Sequence, residues 1–180
     1  MGDLLKQSAE AYQELMMYRY HFLLGRKGQL YRVSVEFPEE SFFHLAGLHK
    51  LRVEVFKNRK AALQAALSGN TAGASTNDPE VLTRWQSICR LKELIETNRI
   101  VFKYRSHEFK GSFIRAEYLL MDEETMFFMC DGYPVSIFGP TNNQRQQAQK
   151  CPRLVTLRIA REEIATGEMR ELFVSSSYKE

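Results

Sequence analysis

From Ile100 onward the chain is written almost wholly in short runs of branched and aromatic residues, and this constrains the fold more than any other feature. The runs are Ile100 to Tyr104, Phe113 to Met121, Thr125 to Cys130, Pro134 to Phe138, Leu154 to Ala160 and Met169 to Val174. Each has the length and composition of a β-strand. Asp122 to Glu124 and Asp131 to Tyr133 are long enough only to reverse the chain, so the strands they join should pair antiparallel. Asn142 to Lys150, rich in glutamine and basic in charge, reads as a loop.

The first half is patterned differently. Met1 to Met17 carries an imperfect apolar stripe at helical spacing. Tyr18 to Leu24 and Leu30 to Phe37 flank a glycine-bounded turn, and the second run alternates apolar with polar residues, as a hairpin with one buried face requires. Pro38 and the acidic pair Glu39 and Glu40 suit the opening of a helix that runs on to Leu51. Asn58 can cap a second helix ending at Gly69. Asp78 and Pro79 start the longest helix, whose apolar residues, Trp85 among them, recur to Thr97 before Asn98 closes it.

Helices first and strands after predict an α+β fold: an N-terminal hairpin and helices packed on a curved antiparallel sheet formed mainly by the C-terminal half. Residues 1–180 read as a single domain, with an N-terminal helix over 1–17, a hairpin over 18–37, a helical region over 38–97 and antiparallel strands over 99–175.

Composition narrows the class. With 44% hydrophobic, 12% aromatic and 26% charged residues, the chain has the make-up of a folded globular protein. No run approaches the roughly eighteen apolar residues that cross a bilayer, and Asp3 and Glu10 interrupt the place of a signal core, so a cytoplasmic protein without membrane contact is expected. Cys89, Cys130 and Cys151 are odd in number and widely spaced, which argues against a disulfide framework and a zinc ribbon. The net charge of +3 is modest but unevenly spread. Basic residues are concentrated from His49 to Lys60, from Arg99 to Arg115 and from Thr141 to Arg161. Folded onto one face, these segments would attract an anionic ligand.

Two of the four histidines lie in one ten-residue apolar segment, Phe42 to Leu51. On a regular helix the side chains of His44 and His49 diverge by roughly 140°, so the pair is not expected to chelate a metal, and no cofactor is expected. Gly47 between them leaves room for another group to approach. The choice for each imidazole is between a core residue bonded to backbone and a proton carrier.

The Y-R-Y-x-F-x-L-G of Tyr18 to Gly25, the F-F-H-L-A-G-L-H-K-L of Phe42 to Leu51, the I-V-F-K-Y of Ile100 to Tyr104 and the A-E-Y-L-L of Ala116 to Leu120 follow one another in an order that resembles the phage-type barnase/EndoU/colicin/RelE-like nuclease domain. The resemblance spans roughly residues 12 to 174. It implies a toxin-like, metal-independent ribonuclease of a bacteriophage or mobile element, cutting RNA by transesterification with the 2′-OH as internal nucleophile. It implies catalytic roles for His49, His44 and Lys103 and substrate-binding roles for Lys50, Arg52, Tyr104, Arg115, Ser136 and Arg153. RNA would be the partner, together with an inhibitor (immunity) protein that protects the host. The alternative is a noncatalytic nucleic-acid- or protein-binding module on the same fold.

Overall fold

The computed structural model describes residues 2–51, 53, 56–69 and 76–178. Their chain order is α1 (Gly2–Leu15), β1 (Tyr18–Arg26), β2 (Gln29–Glu36), α2 (Ser41–Leu45), α3 (Ala62–Ser68), α4 (Pro79–Thr97), β3 (Ile100–Lys103), β4 (Tyr118–Met121), β5 (Met126–Cys130), β6 (Tyr133–Phe138), α5 (Asn142–Gln149), β7 (Arg153–Glu163) and β8 (Met169–Val174). The fold is mixed α+β, with an N-terminal helix and hairpin and a curled antiparallel half-barrel sheet drawn mostly from the C-terminal half.

The strands run in the order β2-β1-β7-β3-β4-β5-β6, and β8 also pairs with β7. Strands β3 to β6 form the expected meander, but β7 returns across the molecule to lie between β1 and β3 and so joins the hairpin to the rest. The curl brings the far edges together. Gly132, in the β5–β6 turn, donates its N–H to the Ser34 carbonyl at 2.6 Å, and its own carbonyl accepts from the Glu36 N–H at 3.3 Å. Asp131 Oδ1 also accepts from the Ser34 N–H, at 2.9 Å.

The principal core lies against the inner face of this sheet. Val81, Trp85, Ile88, Leu91, Leu94 and Ile95, one face of α4, bury themselves among sheet residues such as Leu24, Val35, Val101, Leu120 and Phe127. Tyr12 of α1 packs edge-on to Phe37 and tilted to Phe42, and its hydroxyl donates to the Pro38 carbonyl at 2.6 Å. A smaller apolar cluster, which includes Phe102, Tyr104, Phe109, Phe128 and Ala148, occupies the opposite face.

α4 starts where its cap predicts: Asp78 Oδ1 accepts from the Glu80 N–H at 2.9 Å, with Pro79 in the first turn. Four expectations are corrected. Residues 142–149 are a helix, not a loop. Thr141 Oγ1 accepts from the Gln144 N–H at 3.2 Å while Gln144 Oε1 accepts from the Thr141 N–H at 2.8 Å, a reciprocal cap that stabilises a helix with almost no apolar face. Phe113 to Ala116 pairs with no strand among the described residues; Glu117 donates its N–H to the Met129 carbonyl at 3.1 Å and its carbonyl accepts from the Tyr104 N–H at 2.8 Å, and β4 begins at Tyr118. Asn58 does not cap α3; its Oδ1 accepts from the Lys60 N–H at 3.1 Å in a turn that precedes the helix.

The fourth correction governs the site. The segment from Phe42 to Leu51 is not one helix and does not begin at Pro38. α2 ends at Leu45, Gly47 takes a left-handed φ of 68°, and a single 3-10 turn over Leu48–Lys50 follows. Trp85 fixes the break by donating its indole N–H to the Ala46 carbonyl at 2.9 Å. A Cβ at position 47 would meet Arg84 Cδ at 3.0 Å. Gly47→Ala is therefore expected to lose about 1–2 kcal/mol for the left-handed conformation, plus the displacement of Arg84. Gly69→Ala is the control, because Gly69 has a φ of 73° and a Cβ there meets nothing within 4 Å among the described residues. Urea unfolding midpoints should fall further for Gly47→Ala, and an equal fall would show that Arg84 does not constrain the break.

Candidate active site

The break at Gly47 turns the two histidines toward each other. The ring centroids of His44 and His49 are 5.5 Å apart, with 47° between the planes. This reverses the divergence expected on a regular helix, because the backbone takes a left-handed conformation at Gly47 between them. Phe43 supports both rings, edge-on to His44 at 5.2 Å and tilted to His49 at 6.2 Å. Together with Leu48, Phe56, Lys57 and Arg59, these residues line an open cavity of about 660 Å³.

The side chains around the pair are mainly cationic. The Arg59 guanidinium stands 5.7 Å from the Phe43 ring centre. Lys50 Nζ is 2.5 Å from Glu80 Oε1, and Arg84 Nη2 is 3.2 Å from the same oxygen. Hydrogen bonding from Lys50, followed by Arg84, holds the Glu80 carboxyl below its ordinary range despite partial desolvation. Arg84 is largely enclosed, and its Nε is sealed from solvent without a hydrogen-bond partner among the described residues. Glu80 therefore neutralises only part of the charge.

Both imidazoles are pushed toward the neutral form. Partial burial is the larger cause at His44, and Arg59 adds to it. At His49 burial again leads, followed by His44, Arg84 and Lys50, with Glu80 opposing them. Two neutral rings flanked by cations form an environment suited to an anion, whose charge would in turn favour protonating a ring. Among the described residues no three histidine, cysteine, aspartate or glutamate side chains are grouped so as to hold a metal ion.

Of the residues singled out in the sequence, His44, His49 and Lys50 come together here, and Arg52 lies outside the described residues. Lys103 is seated over aromatic rings of the sheet, 4.4 Å from the centre of Tyr118 and 5.8 Å from that of Tyr31. Tyr104 is buried on the opposite face of the sheet, its hydroxyl 3.1 Å from Ser112 Oγ. Arg115 and Arg153 are exposed, Arg153 at the start of β7. The third basic segment does not join a single face: Arg158 pairs with Glu171 at 2.5 Å and Arg161 with Glu96 at 2.8 Å. His21 Nε2 lies 3.0 Å from Glu162, and His107 lies 3.4 Å from Glu108.

Lys57 and Arg59 belong to the basic segment from His49 to Lys60 that the sequence shows, whereas Arg84 does not stand out in it. Arg84 follows Glu80 by one helical turn and reads there as half of an ordinary surface pair. Ser136 lies in the wall of a second cavity, of about 720 Å³, which shares Glu80 and Arg84 with the surroundings of the imidazoles.

A family model described as phage-Barnase-EndoU-ColicinE5/D-RelE like nuclease4 matches residues 4–151. The chain belongs to this nuclease family. The match takes in the histidine segment and everything from the first turn of α1 to the end of α5. It stops before β7 and β8, although β7 is the strand that joins the two parts of the sheet. No curated protein and no solved structure matches the chain. No helix among the described residues is long and apolar enough to cross a membrane.

The electrostatics can be read directly by NMR titration of the imidazole protons. His44 and His49 should both titrate below the ordinary value of about 6.5. Arg59→Ala should raise the midpoint of His44, and His44→Gln should raise that of His49. Because these pKa values are depressed by folding, the unfolded chain binds more protons below about pH 6.5, so stability falls on acidification through that range. A midpoint at or above 6.5 for either ring would contradict the described surroundings.

Proposed function

We propose that this member of the nuclease family is a metal-independent ribonuclease that cuts RNA by transesterification at the His44–His49 pair. The observation that carries the reading is the 5.5 Å separation of the two rings, which lets a single phosphodiester meet a nitrogen of each. One imidazole, neutral, takes the proton of the 2′-OH as that oxygen bonds to the adjacent phosphorus. The other, protonated, gives its proton to the 5′ oxygen as the P–O5′ bond breaks. The products are a 2′,3′-cyclic phosphate and a free 5′-OH. The two rings then hold each other's starting proton states, and exchange with water restores them.

The environment supplies what this chemistry needs. Lowered pKa values keep a base available at neutral pH, and the negative charge of bound phosphate favours the protonated form of its partner. Lys50, Lys57, Arg59 and Arg84 are placed to stabilise charge growing on the phosphoryl oxygens. RNA is the substrate because the nucleophile belongs to it, and DNA lacks that group. An activity of this kind fits a toxin-like component of a phage or mobile element, acting in the cytoplasm and held in check by an inhibitor protein.

Single-stranded RNA incubated with the protein in excess EDTA should be cleaved to ends bearing 2′,3′-cyclic phosphate. His44→Ala and His49→Ala should each lower the rate by about 10²–10⁴-fold. A strand with 2′-deoxyribose at the scissile position should survive. Absence of cleavage, its abolition by EDTA, or undiminished activity in both variants would overturn the assignment; RNA binding without cleavage would leave a noncatalytic module.

A further inference from the structure

Phe113 is 96% exposed, although it lines the cavity on the far side of Arg84. A bare aromatic ring at the mouth of a cleft has a large apolar surface available for stacking, and none of the described residues covers it. Behind it the floor is aromatic and firmly packed. Phe109 and Phe128 are buried with ring centres 6.1 Å apart, and Phe138 lies 5.5 Å from Phe128. The α5 side of the cavity is lined by amides. Gln144 Oε1 is taken by the Thr141 N–H, which leaves its NH2 group, while Asn143 and Gln147 make no side-chain hydrogen bond with the described residues. Such a rim presents donors and acceptors together at the edge of an apolar slot.

We propose that this cavity is a subsite for one unpaired nucleobase, stacked on Phe113 and read along its edge by the amides of α5. The inference rests on the proposed action on RNA, and it adds where a base of the bound strand goes. A flat heterocycle with an apolar face and a polar edge matches both surfaces, whereas an aliphatic chain would leave the amides unpaired. Continuity supports the same occupant. Glu80 and Arg84 line this cavity and also supply charge beside His49, so a strand with its phosphate at His44 and His49 can place a neighbouring base here. Paired bases are excluded, because stacking on Phe113 requires a base free of its duplex neighbours.

The test uses a mixed-sequence 2′-O-methyl RNA of about 12 nucleotides, which the blocked 2′ oxygen protects from cleavage. Trp85, the one tryptophan of the chain, is buried, so Phe113→Trp adds an exposed reporter without disturbing the core. Binding of this oligonucleotide should quench its fluorescence, and Phe113→Ala should weaken binding about tenfold. Gln147→Ala should weaken it less. Unchanged affinity in Phe113→Ala, no quenching at saturation, or equal quenching by duplex RNA would overturn the subsite. Quenching by the methylated strand without cleavage of ordinary RNA would support the subsite while removing the catalytic reading, and cleavage without quenching would do the reverse.

Discussion

One hydrogen bond and one backbone angle determine what the histidines can do. Trp85 reaches from the middle of α4 to the Ala46 carbonyl at 2.9 Å, and Gly47 then reverses the hand of the backbone with a φ of 68°. A regular helix through Phe42–Leu51 would leave at least one imidazole pointing away from the other. Broken here, the same residues bury Phe42, Phe43, Leu45 and Leu48 while presenting both rings outward. Arg84 passes so close to Gly47 that no larger residue fits without a shift, and the same arginine tightens the cationic surroundings of His49. The break, the packing of α4 and the electrostatics of the site are thus one construction.

The sheet contributes by keeping α4 still. Its inner face supplies the apolar surface on which α4 rests, and closure of β2 onto the β5–β6 turn curls that surface around the helix. β7 is decisive for this arrangement, because without it the β1–β2 hairpin would have no continuous ladder to β3. The family match ends just before β7. The strand that unites the sheet therefore lies beyond the part of the chain with the family's sequence pattern, as expected if its task is pairing, which many apolar sequences satisfy.

Much of the fold was legible because it is local. The hairpin follows from alternation in Leu30 to Phe37, and α4 from the Asp78–Pro79 start and its apolar period. Residues 142–149 read as a loop because burial of Ala148 alone gives no periodic stripe, though Thr141 and Gln144 already spell out the reciprocal cap. Phe113 to Ala116 has strand-like composition but finds no strand partner among the described residues, since pairing depends on distant residues and not on propensity. At the site, the histidines and Lys50 were visible as unusual residues in an apolar segment, and Gly47 as a point of close approach. The convergence of the rings was not, because it depends on a conformational break whose cause, Trp85, lies 39 residues away. Arg84 was hidden for a similar reason: its role comes from what it crosses, which sequence spacing does not show.

The account stands on both imidazoles meeting the same phosphate. Titrating the protein with a nucleoside 3′-monophosphate while following the protons of His44 and His49 addresses that directly, since a bound phosphate raises the pKa of every imidazole it touches. Both midpoints should rise together, with one common binding curve. A rise at only one ring, or at neither while the nucleotide binds elsewhere, would show that the pair does not act as a unit and would contradict the mechanism.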